Sequence, residues 1–323
     1  MNSFEFKHNK PRLTIIGHGN ISKRILKQKF FHNDGKVNKS FSENFKVYII
    51  SRNGMRNLEK KFQEFLKSKK VSELKYDLSN YSDMKKVTSI SSFKIILLPT
   101  KESSFKFNLN SEEDVLTRNF AVSFKKKISS KGVYISTTGV YGNANGALID
   151  ETFRCNPSNF RSKRRLYAEK INRKNTNFHI LRVPGIYAKE RLPIERIKEN
   201  KPALISNEDV FSNHIHADDL ARVTYISLFR GKKNRVTNVV DDSKIKMGDY
   251  FDLVAKTFSL SKPPRVKKAE IKKYVEKKIL SPMMVTFMKD SRRLKNYRLK
   301  KEMRYSLRYP DVSYALKKFK NEK

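Results

Sequence analysis

Short apolar runs alternate with amphipathic stretches along this chain. The first run is Leu13 to Ile16, and a Gly-containing turn follows it. Ile21, Ile25 and Leu26 then recur at helical spacing. Further runs lie at Val47 to Ile50, in a short segment ending at Tyr76-Asp77, and at Ile95 to Leu98 before Pro99. Two more follow, Val133 to Ser136 and Phe178 to Val183, the latter stopped by Pro184. Between them, Asp114 to Lys125 and Ser162 to Lys174 read as polar amphipathic helices. Strands covered by helices on both faces are near-continuously apolar, and most of these runs are. The alternation predicts repeated βα units and a parallel sheet. No repeat of solenoid length is present.

Beyond Pro184 the texture changes. Pro184, Pro193 and Pro202 punctuate loops and a short helix. Asp218 to Leu228 and Met247 to Phe258 read as helices, and Val236 to Val240 as a strand. Pro263-Pro264 breaks the pattern, and the remainder to Lys323 mixes helical periodicity with basic residues. The expected class is α/β: a Rossmann-type doubly wound parallel sheet over residues 10–184, then a smaller C-terminal α/β lobe over residues 185–323. Elements of that lobe are expected to return to the sheet.

Composition narrows the classes further. Apolar residues make up 38% of the 323 residues, too many for a disordered chain. No run approaches the roughly 20 apolar residues of a membrane span. The N-terminal MNSFEFKHNKPR has no apolar stretch of a signal peptide. The single cysteine, Cys155, excludes an intrachain disulfide and a Cys-rich metal site. A reduced, cytoplasmic protein is the expectation.

Charge is the unusual quantity, with 71 Lys+Arg against 32 Asp+Glu and a net of +39. It fits an anionic partner or a coding bias toward Lys, Asn, Ile and Phe. The basic residues are scattered in small groups, such as Lys60-Lys61, Lys125 to Lys127, Arg161 to Arg165 and Lys272-Lys273. No basic tail and no nucleic-acid-binding module stands out. Compositional drift is therefore the expectation, and nucleic acid is not an expected partner.

The first strand runs directly into Gly17-His18-Gly19-Asn20-Ile21-Ser22. Gly17 permits a tight turn, and Gly19 lets backbone approach a pyrophosphate with no side chain between. The following helix start directs amide donors and its positive dipole end at the phosphates. Ser22 is small enough for close helix–strand packing. After the second strand the sequence reads Ile50-Ser51-Arg52-Asn53. No acid is there to hold a ribose hydroxyl, and Arg52 is placed to meet a 2′-phosphate, so NADP is expected over NAD. Asp77 is a candidate contact on the adenine side or a helix cap, and Leu98 closes the fourth strand beside the turn.

Several later stretches carry a resemblance. Ile135-Ser136-Thr137-Thr138-Gly139-Val140-Tyr141-Gly142 is followed by Ile149-Asp150-Glu151, Pro157 and Ala168-Glu169. Leu181-Arg182-Val183-Pro184-Gly185-Ile186-Tyr187 comes next, then Asn213 to Ala221, Thr237 to Asp242, Ser291 to Asn296 and Leu307 to Pro310. In this order the stretches resemble the extended short-chain dehydrogenases/reductases, the group of NAD-dependent epimerases and dehydratases.

The resemblance implies a dinucleotide cofactor and a small-molecule substrate, with nucleotide sugars among the candidates. It also implies pairing of two copies through helices of the Rossmann half. Catalytic members place a Tyr four residues before a Lys, with a Glu four residues further on. With Glu169 setting the register, Arg165 stands at the Lys position and Arg161 at the Tyr position. Arginine stays protonated and cannot act as that acid/base. The chain thus resembles an atypical branch in which the Tyr-Lys pair is degenerate.

Thr137 keeps the position of the Ser/Thr that would hydrogen-bond the substrate oxygen, and Tyr141 and Tyr187 are candidate replacements for the phenol. Arg161 and Arg165, one helical turn apart, are expected to clamp a substrate anion. His216 is a candidate substrate contact, or simply part of a helix start with Asp218 as cap. No zinc-ligand spacing, nucleophile elbow or P-loop appears. Two functions remain open: an NAD(P)-dependent oxidoreductase or epimerase-like enzyme, and a cofactor-binding protein without catalysis.

Overall fold

The computed structural model describes residues 10–31, 36, 38, 41, 44–55, 58–90, 94–99, 111–124 and 131–321. Lys125 to Lys127 and the first nine residues lie outside these. Seven strands form one sheet: β1 (Arg12–Ile16), β2 (Lys46–Ile50), β3 (Ser72–Leu74), β4 (Lys94–Leu97), β5 (Lys131–Thr137), β6 (His179–Val183) and β7 (Val236–Asn238). Their order is β7-β6-β5-β4-β1-β2-β3, and every neighbouring pair is parallel. The chain winds outward from β1 to β3, then returns to lay β4 on the other side of β1. Such a reversal opens a crevice beyond the carboxyl ends of the strands. Ile16 is in register with both Ile50 and Leu97, so the turn after β1 emerges level with the ends of its two neighbours.

Alternation within the strands sorts side chains between two layers, since successive side chains of a strand point to opposite faces. Leu13, Ile15, Ile49, Ile96, Val133 and Leu181 enter one core. Ile16, Ile50, Ile95, Leu97, Tyr134 and Ile180 enter the other. Six helices close the layers: α1 (Asn20–Phe30), α2 (Lys60–Ser68), α3 (Tyr81–Ile90), α4 (Val115–Phe124), α5 (Phe160–Asn175) and α6 (Ala217–Arg230). The first core takes Leu26 and Phe30 from α1, Leu66 from α2, and Leu220 and Val223 from α6. The second takes Met84 and Val87 from α3, Phe120 and Phe124 from α4, and Ala168 from α5. Phe30 is fully buried, and truncating such a ring to Ala costs about 3–5 kcal/mol.

Two elements of the C-terminal half build the sheet layer. Strand β7 pairs with β6, and α6 lies against α1 and across β4 and β5. The third strand stops at Leu74, ahead of its expected end; Tyr76-Asp77 leads into α3 instead.

Smaller units stand beyond β5 and β6. Gly185–Tyr187 pairs with His214–His216, and Phe211–Ser212 pairs with Ile245–Lys246. Helices α7 (Met247–Thr257) and α8 (Val312–Asn321) pack with Tyr187, Ile197 and Tyr250 in a core of their own. Among the described residues no helix is long and apolar enough to cross a membrane. None of them forms a group of three or more His, Cys, Asp or Glu able to hold a metal ion.

Candidate functional site

The crevice starts at Gly17. Its φ of +94° lies in a region L side chains rarely adopt, and an added Cβ would meet the Leu98 Cβ at 3.0 Å. Its amide donates to the Ile50 carbonyl at 2.8 Å, and the Leu98 amide donates to the Ile16 carbonyl at 3.0 Å. Leu98 therefore walls the turn rather than presenting a polar group. Gly19 is the N-cap of α1, and a Cβ built on it meets nothing within 4 Å. That space opens at a helix start with no acidic residue in its first turn, an arrangement that can receive an anion.

Ser22 is fully buried, accepts from the Gly19 amide at 3.1 Å and lies 2.8 Å from His18 Nδ1. Ile21 packs on the core, whereas Asn20 is exposed and accepts from Arg24 Nε at 3.1 Å. Arg24 also pairs with Asp218 and Glu190, tying the start of α1 to the start of α6. Arg52 is exposed on the turn after β2. That turn is held by Ser51 Oγ donating to the Gly54 carbonyl at 3.0 Å and Met55 N donating to Glu73 at 2.8 Å. Asp77 is turned onto its own loop, where it accepts from the Ser79 amide at 2.9 Å.

A second part of the crevice, a cleft of about 710 Å³, runs from the ends of β5 and β6 to the smaller units. Thr137 lines it and accepts from the Gly139 amide at 3.2 Å. The start of α5 enters here, capped by Asn159, which accepts from Ser162 N at 2.9 Å. Arg161 and Arg164 line the cleft, with Arg161 exposed and Arg164 donating to the Ser111 carbonyl at 3.0 Å.

Three expected site residues do not reach the cleft. Arg165 is buried and pairs with the fully buried Asp114 at 3.1 Å, so it forms no clamp with Arg161. A buried guanidinium demands a buried partner, and Asp114, at the start of α4, supplies it. Tyr141 is fully buried, and its hydroxyl donates to Asn238 Oδ1 at 2.7 Å under the Arg182 guanidinium. Burial pushes its phenol up to about 12. His216 accepts from the Asp218 amide at 3.1 Å and stacks on Tyr309 at 3.6 Å. It is thus itself the N-cap of α6, and burial pulls its imidazole down to about 4.

Tyr187 does line the cleft, and its buried hydroxyl faces Asp241 without meeting hydrogen-bond geometry. Burial, then that carboxylate, raises its phenol. Burial also pushes Asp241 up to about 7.

Further cleft residues come from a motif stretch, as His214 does, or from none. His214 lines the wall 4.6 Å from Tyr250, its Nδ1 lacking a partner, and burial pulls it down to about 4. Arg292 donates to the Gly142 carbonyl at 2.7 Å, and its Nε has no partner. Arg191 and the exposed Met283 and Phe287 complete the mouth. Arg292 fell within a stretch that carried the resemblance, but no spacing in the sequence connects it to residue 142. Met283 and Phe287 carry no such signal.

No family model matches the chain, and no curated protein matches it. Solved structures do resemble it. A functionally unknown conserved protein from Silicibacter pomeroyi shares 23% identity, with 97% of this chain and 99% of that one covered at a TM-score of 0.66. A putative NAD-dependent epimerase/dehydratase from Methylobacillus flagellatus shares 17%, covering 97% and 98% at 0.66. The dTDP-glucose 4,6-dehydratase of Bacillus anthracis, in complex with NAD, shares 13%, covering 96% of both chains at 0.72. The chain has the fold of the NAD-dependent epimerases and dehydratases. The epimerase/dehydratase fold thus spans nearly the whole chain, including the smaller units that close the cleft.

Proposed function

We infer that this protein binds NADP, in preference to NAD, at the Gly17–Ser22 turn and acts on a small anionic substrate in the adjoining cleft. The observation that carries the reading is the open space above Gly19 at the topological switch point, framed by the strained Gly17 turn. Fold neighbours holding NAD, among them the dTDP-glucose dehydratase, support dinucleotide binding, and the preference for NADP rests on Arg52. Gly17, Gly19, Asn20 and Ile21 would present backbone to the pyrophosphate, Arg52 would meet the 2′-phosphate, and Leu98 and Asp77 would border the nucleoside. When bound, the nicotinamide exchanges a hydride with a carbinol or carbonyl carbon. Thr137 accepts from Gly139 and keeps its own proton to donate to a substrate oxygen. Arg161, Arg191 and Arg292 line the cleft and favour a carboxylate or phosphate on the substrate. Among the proton-carrying side chains on the wall, Tyr187 and His214 are those assigned to acid/base work.

One observation favours a second reading, a cofactor-binding protein without catalysis. Arg165, at the Lys position, is locked on Asp114, and Tyr141 is committed to Asn238. Calorimetric titration with NADPH and NADH tests the shared core of both readings. Micromolar NADPH binding, lost in Gly19→Asp and weakened in Arg52→Ala, supports it; no binding of either dinucleotide overturns it. Nicotinamide oxidation or reduction on a panel of anionic carbonyl and carbinol compounds then separates enzyme from binder.

A further inference from the structure

A second cavity, a groove of about 670 Å³, lies on the outer face of the layer formed by α2, α1 and α6. It uses Lys27 and Lys29 near the end of α1, seven to nine residues from Asn20, or about 10–14 Å along the helix. Lys61, Arg222 and Arg308 complete a set of five cations from four segments. Among the described residues Glu59 is the one acid lining the groove, and it is engaged by Lys23 at 3.1 Å and Lys27 at 3.7 Å. Lys29 is half-buried with its ammonium 3.6 Å from the Tyr225 ring centroid. Burial, and then the like charge of Arg222, pulls it down to about 8.

The wall beside these cations is aromatic. Phe31 and Phe65 are half-buried with ring centroids 4.7 Å apart, and Phe62 lies nearly parallel to Phe65. Cations bunched against one another lose stability that a polyanion would restore, and flat rings beside them offer a stacking face.

We propose that this groove binds nucleotides, free or within a single strand, with phosphates on Lys29, Lys61, Arg222 and Arg308 and a base against Phe31 and Phe65. This departs from the expectation that scattered basic residues have no nucleic-acid role. The fold gathers five of them where the sequence spreads them from residue 27 to residue 308. The site is separate from the Gly17–Ser22 turn and does not depend on the dinucleotide reading.

The test is anisotropy of labelled decauridylate with the purified full chain. Single strands lose affinity with salt at a log–log slope of about −0.7 per phosphate contact, so four contacts predict about −3. Lys29→Glu with Arg222→Glu should weaken binding at least about tenfold and flatten the slope to about −1.5. Lys61→Glu with Arg308→Glu, both exposed, repeats the test where the first pair disturbs folding. The charge-matched pair Lys272→Glu with Lys273→Glu, exposed on the 271–276 helix, should shift affinity less than about threefold. Displacement by ATP assigns the site to free nucleotides, and its failure assigns the site to strands. Equal weakening by groove and control pairs, equal displacement by polyglutamate, or no binding at moderate salt overturns the proposal.

Discussion

At the Gly17–Ser22 end of the crevice, backbone provides the candidate binding surface: a strained glycine, an open N-cap, and amides of one helix within six consecutive residues. At the Thr137 end, side chains from at least five separated segments provide it, some engaged, as Thr137 and Arg164 are, and some with a polar atom that lacks a partner, as Tyr187, His214 and Arg292 are. The first region can be altered only by changing space or φ. The second is a set of buried pairings, some facing the cleft and some diverted from it. A candidate site built of backbone is robust to charge changes nearby, whereas one built of paired side chains is rearranged by any of them.

Breaking the buried pairings should give the largest effects. Asp114→Ala leaves Arg165 buried without a partner and should cost about 3–5 kcal/mol in urea denaturation. Asp114→Leu with Arg165→Met should recover most of that loss, as replacing both ions of a buried pair usually does. If the single variant is near-neutral, the Arg165 side chain is free to enter the cleft and the division drawn here fails.

Acid should strike the same region. His214 and His216 are each held near 4 by burial, below their ordinary 6.5. The unfolded chain then binds protons that the folded chain refuses. Their contribution is complete above about 6.5 and is lost as pH falls toward 4, on the order of 3 kcal/mol per imidazole. His214→Gln should flatten the fall in stability between pH 6.5 and pH 4, measured by denaturation at each pH.

The backbone end should respond in the opposite manner. Gly19→Asp fills the open space with a like-charged group and should weaken NADPH binding at least about 100-fold, or about 2.7 kcal/mol, with thermal stability little changed. A folded variant that still binds would show that the dinucleotide does not sit at the Gly17–Ser22 turn. Tyr141→Phe should lose about 1–2 kcal/mol of stability through the unmet Asn238 acceptor, without altering NADPH affinity. Arg161→Ala, at an exposed position, should move stability by less than about 0.5 kcal/mol while weakening anionic ligands of the cleft several-fold.

Local pattern determined much of this molecule. Apolar runs placed β1, β2, β4, β5 and β6 within one or two residues, because a strand covered on both faces has few choices besides Ile, Leu and Val. The Gly17 turn was legible for a related reason: its constraints are φ and space, both set within six residues. Direction of side chains at longer range was not. Arg161 and Arg165 share a helix, yet one opens to the cleft and the other meets Asp114, 51 residues away in sequence. Tyr141 is spent on Asn238 at a separation of 97 residues. Sequence alone determined which residues carry charge and which segments form strands. Tertiary structure decided which charges are neutralised inside, which line the cleft and which crowd together in the groove of α1. A buried polar group is directed by the partner that packing brings to it, and that partner is seldom a neighbour in the chain.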